Sequence, residues 1–199
     1  MKIGDAKSCL TMGFLTVVEY PECGLFGGYL VLNHLGRPLE FHCTAPIKPS
    51  RAQQILYGAT LEPYLFGEQI GRTLVASAKT DPQAIFTDRE SALALREFVE
   101  RPVVFVLAPR QAETGIEDTS HHSQSPEIMQ NSYRIDPSHP SGCQVAAFHL
   151  GRNRLAVPSW AADDRHEVTT RFGELAESFD LGEPFERIRE ALEEARRGG

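Results

Sequence analysis

The sequence lacks the long apolar runs of membrane proteins, since no stretch approaches the roughly 18 apolar residues of a transmembrane helix. Its opening residues, MKIGDAKSCLTMG, contain no apolar segment of the kind found in signal peptides. The four cysteines include no C-x-x-C pair and are too few for the disulfide framework of a small secreted domain. These absences predict a cytoplasmic protein with reduced thiols and no membrane partner.

An excess of basic charge is also missing. The 199 residues include 20 Lys and Arg against 27 Asp and Glu, which gives a net charge of −7. Proteins whose main task is to bind nucleic acid neutralise phosphates with clustered Lys and Arg. The charge balance therefore disfavours nucleic acid as the main partner, and only a local basic patch would restore that role.

The common nucleotide-binding and hydrolase motifs are absent too. None of G-x-x-x-x-G-K-[ST], G-x-G-x-x-G, G-x-S-x-G and H-E-x-x-H occurs in the chain. A zinc site has weak support, because His42 and Cys43 are consecutive in a predicted strand and alternation directs them to opposite faces.

What the sequence does contain is a set of short elements typical of an α/β fold. Three apolar runs, at residues 14–20, 28–33 and 39–43, have short links between them and predict an antiparallel three-stranded meander. The third run alternates, so it predicts a half-buried strand whose apolar side faces the core. Its alternating residues are Leu39, Phe41 and Cys43 against Glu40, His42 and Thr44.

The period then changes to that of helices. A capping box at Ser50 and Gln53 predicts a short helix, and a longer helix follows over residues 60–79. A strand at 84–87, a helix at 89–100 and a strand at 103–107 predict a right-handed parallel crossover. The sheet is therefore expected to be mixed, in an αβαβ arrangement after the meander.

Composition divides the chain into three parts. Residues 1–109 are predicted to form the α/β core domain, and residues 110–142 form a polar linker that lacks apolar surface to bury. Residues 143–199 predict a C-terminal ββαα extension, a β-hairpin and two helices that pack on the core.

The element order resembles the ribonuclease H-like fold. The residues that carry the resemblance are Gly27-Gly28-Tyr29 at the second strand, Glu68 on the first long helix, and Ile85-Phe86-Thr87-Asp88. The resemblance implies that an acid on the first strand, one on this helix and one at the end of the fourth strand converge on Mg²⁺. Glu19, Glu68 and Asp88 are the candidates for catalysis here, with Glu68 and Asp88 as metal ligands. The middle of the first strand, where the resemblance implies an Asp, has Val17 and Val18 instead.

Each acid also has a simpler interpretation. Glu68 lies on the apolar seam of its predicted helix, where an unpaired carboxylate is costly, and Arg72 is four residues away for an ion pair. Asp88 precedes a predicted helix and is a typical N-cap. A two-metal site needs more than these two carboxylates, because each ion requires several oxygen ligands.

Two functions follow as hypotheses. The first is a non-catalytic protein-interaction or assembly component with no cofactor, which binds a protein partner or a second copy through the C-terminal helices. The helix at 184–197 has the narrow apolar seam that such contacts use. The alternative is a Mg²⁺-dependent ribonuclease H-like nuclease or phosphoryl-transfer enzyme that uses Glu19, Glu68 and Asp88.

Overall fold

The protein is built around one seven-stranded mixed sheet with helices on both faces. The computed structural model describes residues 10–108 and 144–198. Its strands are β1 (Thr11–Tyr20), β2 (Gly24–Asn33), β3 (Pro38–Cys43), β4 (Ala84–Thr87), β5 (Val103–Val106), β6 (Val145–Leu150) and β7 (Asn153–Pro158). The predicted linker at 110–142 lies outside the described residues.

The strands lie in the order β3-β2-β1-β4-β5-β7-β6. The first three strands form the expected antiparallel meander, and β4 and β5 run parallel to β1. The β6–β7 hairpin joins the sheet through antiparallel pairing of β7 with β5. The mixed α/β architecture predicted from element order is thus present, and the C-terminal hairpin extends the same sheet.

Helical segments connect and cover the strands. They are α1 (Arg51–Tyr57), a 3₁₀ turn (Gly58–Thr60), α2 (Leu61–Pro63), a π-helix (Tyr64–Gly71), α3 (Arg72–Ser77), a 3₁₀ helix (Glu90–Glu97), a further 3₁₀ turn (Ser159–Ala161), α4 (Asp163–Ala176) and α5 (Glu183–Gly198). The capping box at Ser50 and Gln53 is present at the start of α1. None of the helices described has the length and apolar character needed to cross a membrane.

Alternation along the central strands divides the core into two layers. Phe14 of β1 and Phe86 of β4 face α4 and α5, and they pack with Phe172 and Phe185 of those helices. Residues of the opposite phase, such as Leu15, pack under the π-helix and the 3₁₀ helix. Burial on both faces explains why β4 and β5 are continuous apolar runs.

Two buried polar side chains hold the C-terminal elements, Asn153 among themselves and Asp164 to the rest of the molecule. Asn153, at the start of β7, donates to the carbonyls of Ala176 and Phe179 at 3.2 and 3.1 Å, and its oxygen accepts from the Leu181 amide. Asp164, in the first turn of α4, accepts two hydrogen bonds from the Arg96 guanidinium at 2.7 and 3.1 Å. The second contact joins helices that lie on opposite faces of the sheet.

Candidate functional site

Glu19 lies near the end of β1 on the surface of the protein. It borders a cleft of about 760 Å³ together with Lys48 and Glu62, and the floor of this cleft is apolar. The cleft is bounded by the β1–β2 turn, the loop after β3, and the helical segments around residues 54–66. Neither Glu68 nor Asp88 lines it, so the first of the three predicted catalytic acids lies apart from the other two.

Glu68 lies in the π-helix, whose wider turn shifts the buried side of the segment. The buried residues are Leu65, Phe66, Gly67, Ile70 and Gly71. Glu68 itself is only half-buried. Residues of the predicted seam such as Leu61 and Leu74 do pack in this layer, so Glu68 lies along the seam without being fully buried in it. Its carboxylate is not forced into the core and does not need a metal to offset burial.

A close helix crossing accompanies this wide turn. A Cβ on Gly67 would lie 2.7 Å from both the Ala94 Cβ and the Leu95 amide nitrogen of the 3₁₀ helix. Only glycine permits the two backbones to approach this closely. π-Helical turns are often found at functional sites, but here the packing of Gly67 gives the turn a structural role.

The surroundings of Glu68 are aromatic. Tyr57 and Tyr64 stack with ring centroids 4.2 Å apart. A hydrogen bond that the Tyr57 hydroxyl donates to Tyr64 raises the pKa of the Tyr57 hydroxyl, and the negative charge of Glu68 adds to this effect. The expected ion pair between Glu68 and Arg72 is not formed, since the Arg72 guanidinium lies 5.5 Å from the centre of the Phe98 ring instead.

Asp88 follows β4 and faces α5. The pairing of Leu15 with Thr87 places Asp88 next to Thr16 of β1, on the side of the sheet that α5 covers. The Arg189 guanidinium of α5 binds one carboxylate oxygen of Asp88. The other oxygen of Asp88 is buried and has no hydrogen-bond partner among the described residues. The same is true of the Thr16 hydroxyl. A guanidinium thus occupies the position beside this carboxylate where a metal ion would be expected.

The prediction that Asp88 caps a helix is wrong. The following helix is a 3₁₀ helix that begins at Glu90, its N-cap position is Arg89, and no side chain caps it. The Arg89 side chain instead donates from Nε to the Val17 carbonyl at 2.9 Å, which fixes the chain after β4 against β1.

The three acids do not form one group in the described structure. Glu68 belongs to the helical layer on one face of the sheet, whereas Asp88 contacts α5 on the other. Within residues 10–108 and 144–198, no set of three or more His, Cys, Asp and Glu side chains is placed to hold a metal ion. The assignment of Glu19, Glu68 and Asp88 to Mg²⁺ therefore stays a prediction from the sequence.

The His42 side chain has a carboxylate partner rather than a cysteine one. Its Nε2 lies 3.0 Å from a Glu40 oxygen, and the same carboxylate accepts from the backbone amides of Lys79 and Thr80. The Thr80 hydroxyl also donates to Glu40. This hydrogen bond contributes most, and together with the others it lowers the pKa of Glu40 to about 2. Cys43 is exposed on the opposite side of β3.

The sequence predicted that the apolar residues of β3 face the core, but the structure has its polar residues on the more buried side. The apolar side expected to face the core is the exposed side, while Glu40 and His42 are half-buried. Leu39 is 47% exposed and Phe41 is 39% exposed, and Leu35 in the preceding turn is 64% exposed. We refer to Leu35, Leu39 and Phe41 as the β3 surface. Alternation did not reveal that Leu39 and Phe41 stay substantially exposed.

A second exposed apolar group lies on α1, where none of the residues is buried. Ile55 and Leu56 are 67% and 81% exposed. In contrast, the apolar seam of α5 is used within the chain, since Phe185, Ile188 and Leu192 are almost fully buried against β1 and β2. The seam expected to contact a partner is therefore covered by the protein's own sheet.

Comparisons with known proteins place this chain in no established family. No family model matches it, and no curated protein matches it. Among solved structures, it is similar to Marinitoga piezophila Argonaute in complex with guide RNA and target DNA, with 9% identity and a TM-score of 0.28. The aligned region covers 88% of this chain but only 27% of the Argonaute chain. A similarity at this level supports no argument about fold or function.

Proposed function

We propose that this protein is a non-catalytic protein-interaction component. The observation that carries the proposal is the β3 surface, where three large apolar side chains are exposed on an edge strand and the turn before it. Single exposed apolar residues are ordinary, but contiguous apolar patches mark interaction sites. A strand at the edge of a sheet also has unpaired backbone groups that favour association with another chain.

The surroundings of Asp88 support the non-catalytic part of the proposal. Its negative charge is neutralised by Arg189, and its neighbour on β1 is Thr16, a neutral side chain. A Mg²⁺ ion at this position would have to displace a guanidinium that is already bound. An arrangement of this kind is what a protein that keeps a fold without its metal chemistry is expected to have.

We also infer that the sheet is of the ribonuclease H-like type. In support, an antiparallel meander is followed by two strands parallel to β1, and Asp88 ends the first of them next to the middle of β1. On this interpretation Thr16 occupies the position where the resemblance implies the first-strand acid, one residue before the Val17-Val18 pair. The family's chemistry would then lack one of its carboxylates.

The alternative, a Mg²⁺-dependent nuclease or phosphoryl-transfer enzyme, is tested by calorimetric titration with Mg²⁺ and Mn²⁺ alongside a nuclease assay. The variants are Glu68→Gln and Asp88→Asn, with Asp163→Asn as an exposed acidic control on α4. We expect no metal-dependent heat and no cleavage by the wild type. Heat and cleavage that both disappear in Glu68→Gln and Asp88→Asn, but persist in the control, would overturn the non-catalytic assignment.

The interaction part is tested by crosslinking and mass spectrometry of the tagged full chain in its native cells. Phe41→Lys places a charge on the β3 surface, and Leu56→Lys places the same charge on the more exposed α1 surface. We expect a defined set of crosslinked proteins, which includes the chain itself where it self-associates, to be lost with Phe41→Lys and retained with Leu56→Lys. A crosslinking pattern that is identical for the wild type, Phe41→Lys and Leu56→Lys would refute the role of the β3 surface.

A further inference from the structure

The backbone of β3 leaves two residues ready to pair with another strand. The Thr44 amide donates to the Gly27 carbonyl at 3.0 Å, which sets the phase of the ladder between β2 and β3. Because backbone groups alternate between the two sides of a strand, Glu40 and His42 direct theirs to β2, whereas Phe41 and Cys43 direct theirs outward. Within the described residues, β3 has no neighbour on that outward side.

The side chains of β3 are complementary to a second β3 that runs antiparallel. In the register that places Phe41 opposite Phe41, Glu40 of each chain faces His42 of the other. Registers centred on Glu40 or His42 would instead place identical side chains opposite each other, and like charges directly across a ladder are destabilising. Leu39 lies at an irregularity of the β2–β3 ladder, where Val31 pairs with Glu40 and Leu32 pairs with Pro38, so the regular pairing about Phe41 extends over Glu40, Phe41 and His42.

These features favour a second copy of the chain over an unrelated partner. A two-fold symmetric contact requires a surface that is complementary to itself. The sequence Glu40-Phe41-His42 meets this requirement, because Glu40 and His42 are placed symmetrically about Phe41. The Phe41 pair would also exchange two backbone hydrogen bonds, since its free amide and carbonyl both point outward.

We propose that β3 pairs with β3 of a second copy about a two-fold axis at Phe41, which joins two seven-stranded sheets into one continuous sheet. The proposal rests on the interaction function proposed above and names its partner. The β3 surfaces of both chains then lie side by side, and each covers part of the exposed side chains of the other.

The first test is the mass of the full chain in solution, measured by analytical ultracentrifugation over a wide range of concentration. We expect a dimer for the wild type and for Leu56→Lys, and at least about tenfold weaker dimerisation for Phe41→Lys, because edge lysines disfavour strand pairing. Circular dichroism checks that the variants are folded. A wild type that is monomeric at every concentration would overturn the proposal, as would a dimer that Leu56→Lys breaks and Phe41→Lys does not.

The second test fixes the register and does not depend on the behaviour of a lysine variant. In a Cys43→Ser background, Phe41→Cys is expected to form a disulfide-linked dimer on mild oxidation, because Cα atoms across a hydrogen-bonded antiparallel pair are about 5.5 Å apart. Cys43 of the wild type is expected not to crosslink, since its equivalents are offset by about 13 Å along the strands. Absence of the Phe41→Cys crosslink from a wild type that dimerises would refute this register.

The two proposals fail in different ways. A monomeric protein whose crosslinked partners are lost in Phe41→Lys would overturn self-pairing and leave the interaction function intact. Hydrogen exchange of the Phe41 amide provides a further distinction. Protection that does not depend on protein concentration would mean that another segment of the same chain occupies this edge, and it would overturn self-pairing.

Discussion

The ion pair between Asp164 and Arg96 provides a direct test of how the two faces of the sheet are held together. The Asp164 side chain is 6% exposed and that of Arg96 is 21% exposed, and the contact has two hydrogen bonds. Arg96 also donates to the Val99 carbonyl at 2.9 Å and lies 5.9 Å from the centre of the Trp160 ring. Because Asp164 is buried, its removal leaves the guanidinium without its counter-charge at a site that water reaches poorly.

We expect Asp164→Ala to lower the free energy of unfolding by about 3 kcal/mol, at the lower end of the 3–5 kcal/mol typical of broken buried pairs. The lower end applies because Arg96 keeps its carbonyl partner and part of its exposure. Urea denaturation followed by circular dichroism measures the change. With a slope of about 2 kcal/mol per molar urea, the midpoint should fall by about 1.5 M.

Asp163 supplies a matched control, since it lies in the same first turn of α4 but is exposed. Both acids interact favourably with the helix dipole, an effect of about 0.3–1 kcal/mol that Asp163→Ala alone should show. The difference between the two variants therefore isolates the contact with Arg96. Equal losses for Asp163→Ala and Asp164→Ala would refute the reasoning, as would a double variant with Arg96→Met whose losses simply add.

Three further predictions concern residues with clear structural roles. Asn153→Asp removes the donors to two buried carbonyls and should cost about 2–4 kcal/mol in the same denaturation assay, and a loss below about 0.5 kcal/mol would contradict the hydrogen-bond assignment. Gly67→Ala should destabilise the folded protein by about 1–3 kcal/mol through overpacking. Gly173→Ala, with open space around the new Cβ, should stabilise it by up to about 1 kcal/mol. Stability changes of the same sign for both variants would count against the close crossing. The lowered pKa of Glu40 stabilises the folded state above the ordinary value of 4.5 and loses that effect as the pH falls toward about 2. The difference in urea midpoint between wild type and Glu40→Gln should therefore shrink over this interval, and a constant difference would refute the assignment.

The meander and the parallel crossover could be anticipated because they depend on local patterns. Short links between the first three runs allow only an antiparallel meander, and a helix between two apolar runs gives a parallel crossover. The continuous apolar sequence of β5 is likewise typical of a strand that is buried on both faces. These features depend on residues that are close together in the sequence, so local patterns are enough to predict them.

The site could not be anticipated to the same degree, because it depends on residues far apart in the chain. Arg189 neutralises Asp88 across 101 positions, and no local pattern couples them. The alternation of β3 indicates an apolar and a polar side. Which of the two sides is covered depends on how far α5 extends over the sheet. Ile188 and Leu192 pack over Gly28 of β2, which leaves Phe41 of β3 beyond the helix. Similarly, the π-helix depends on the close approach of Gly67 to a segment that is distant in sequence.

The position of α5 has a consequence for biosynthesis. The aromatic residues Phe14 and Phe86 of the sheet are covered by α4 and α5, and α5, which packs on Phe14, begins only at Glu183. On the ribosome, this face stays open to water until most of the chain has been made, and transiently exposed apolar surface of this kind promotes aggregation. Nascent chains that stall before residue 183 should therefore require chaperones or be degraded, even though every strand of the sheet has already been synthesised.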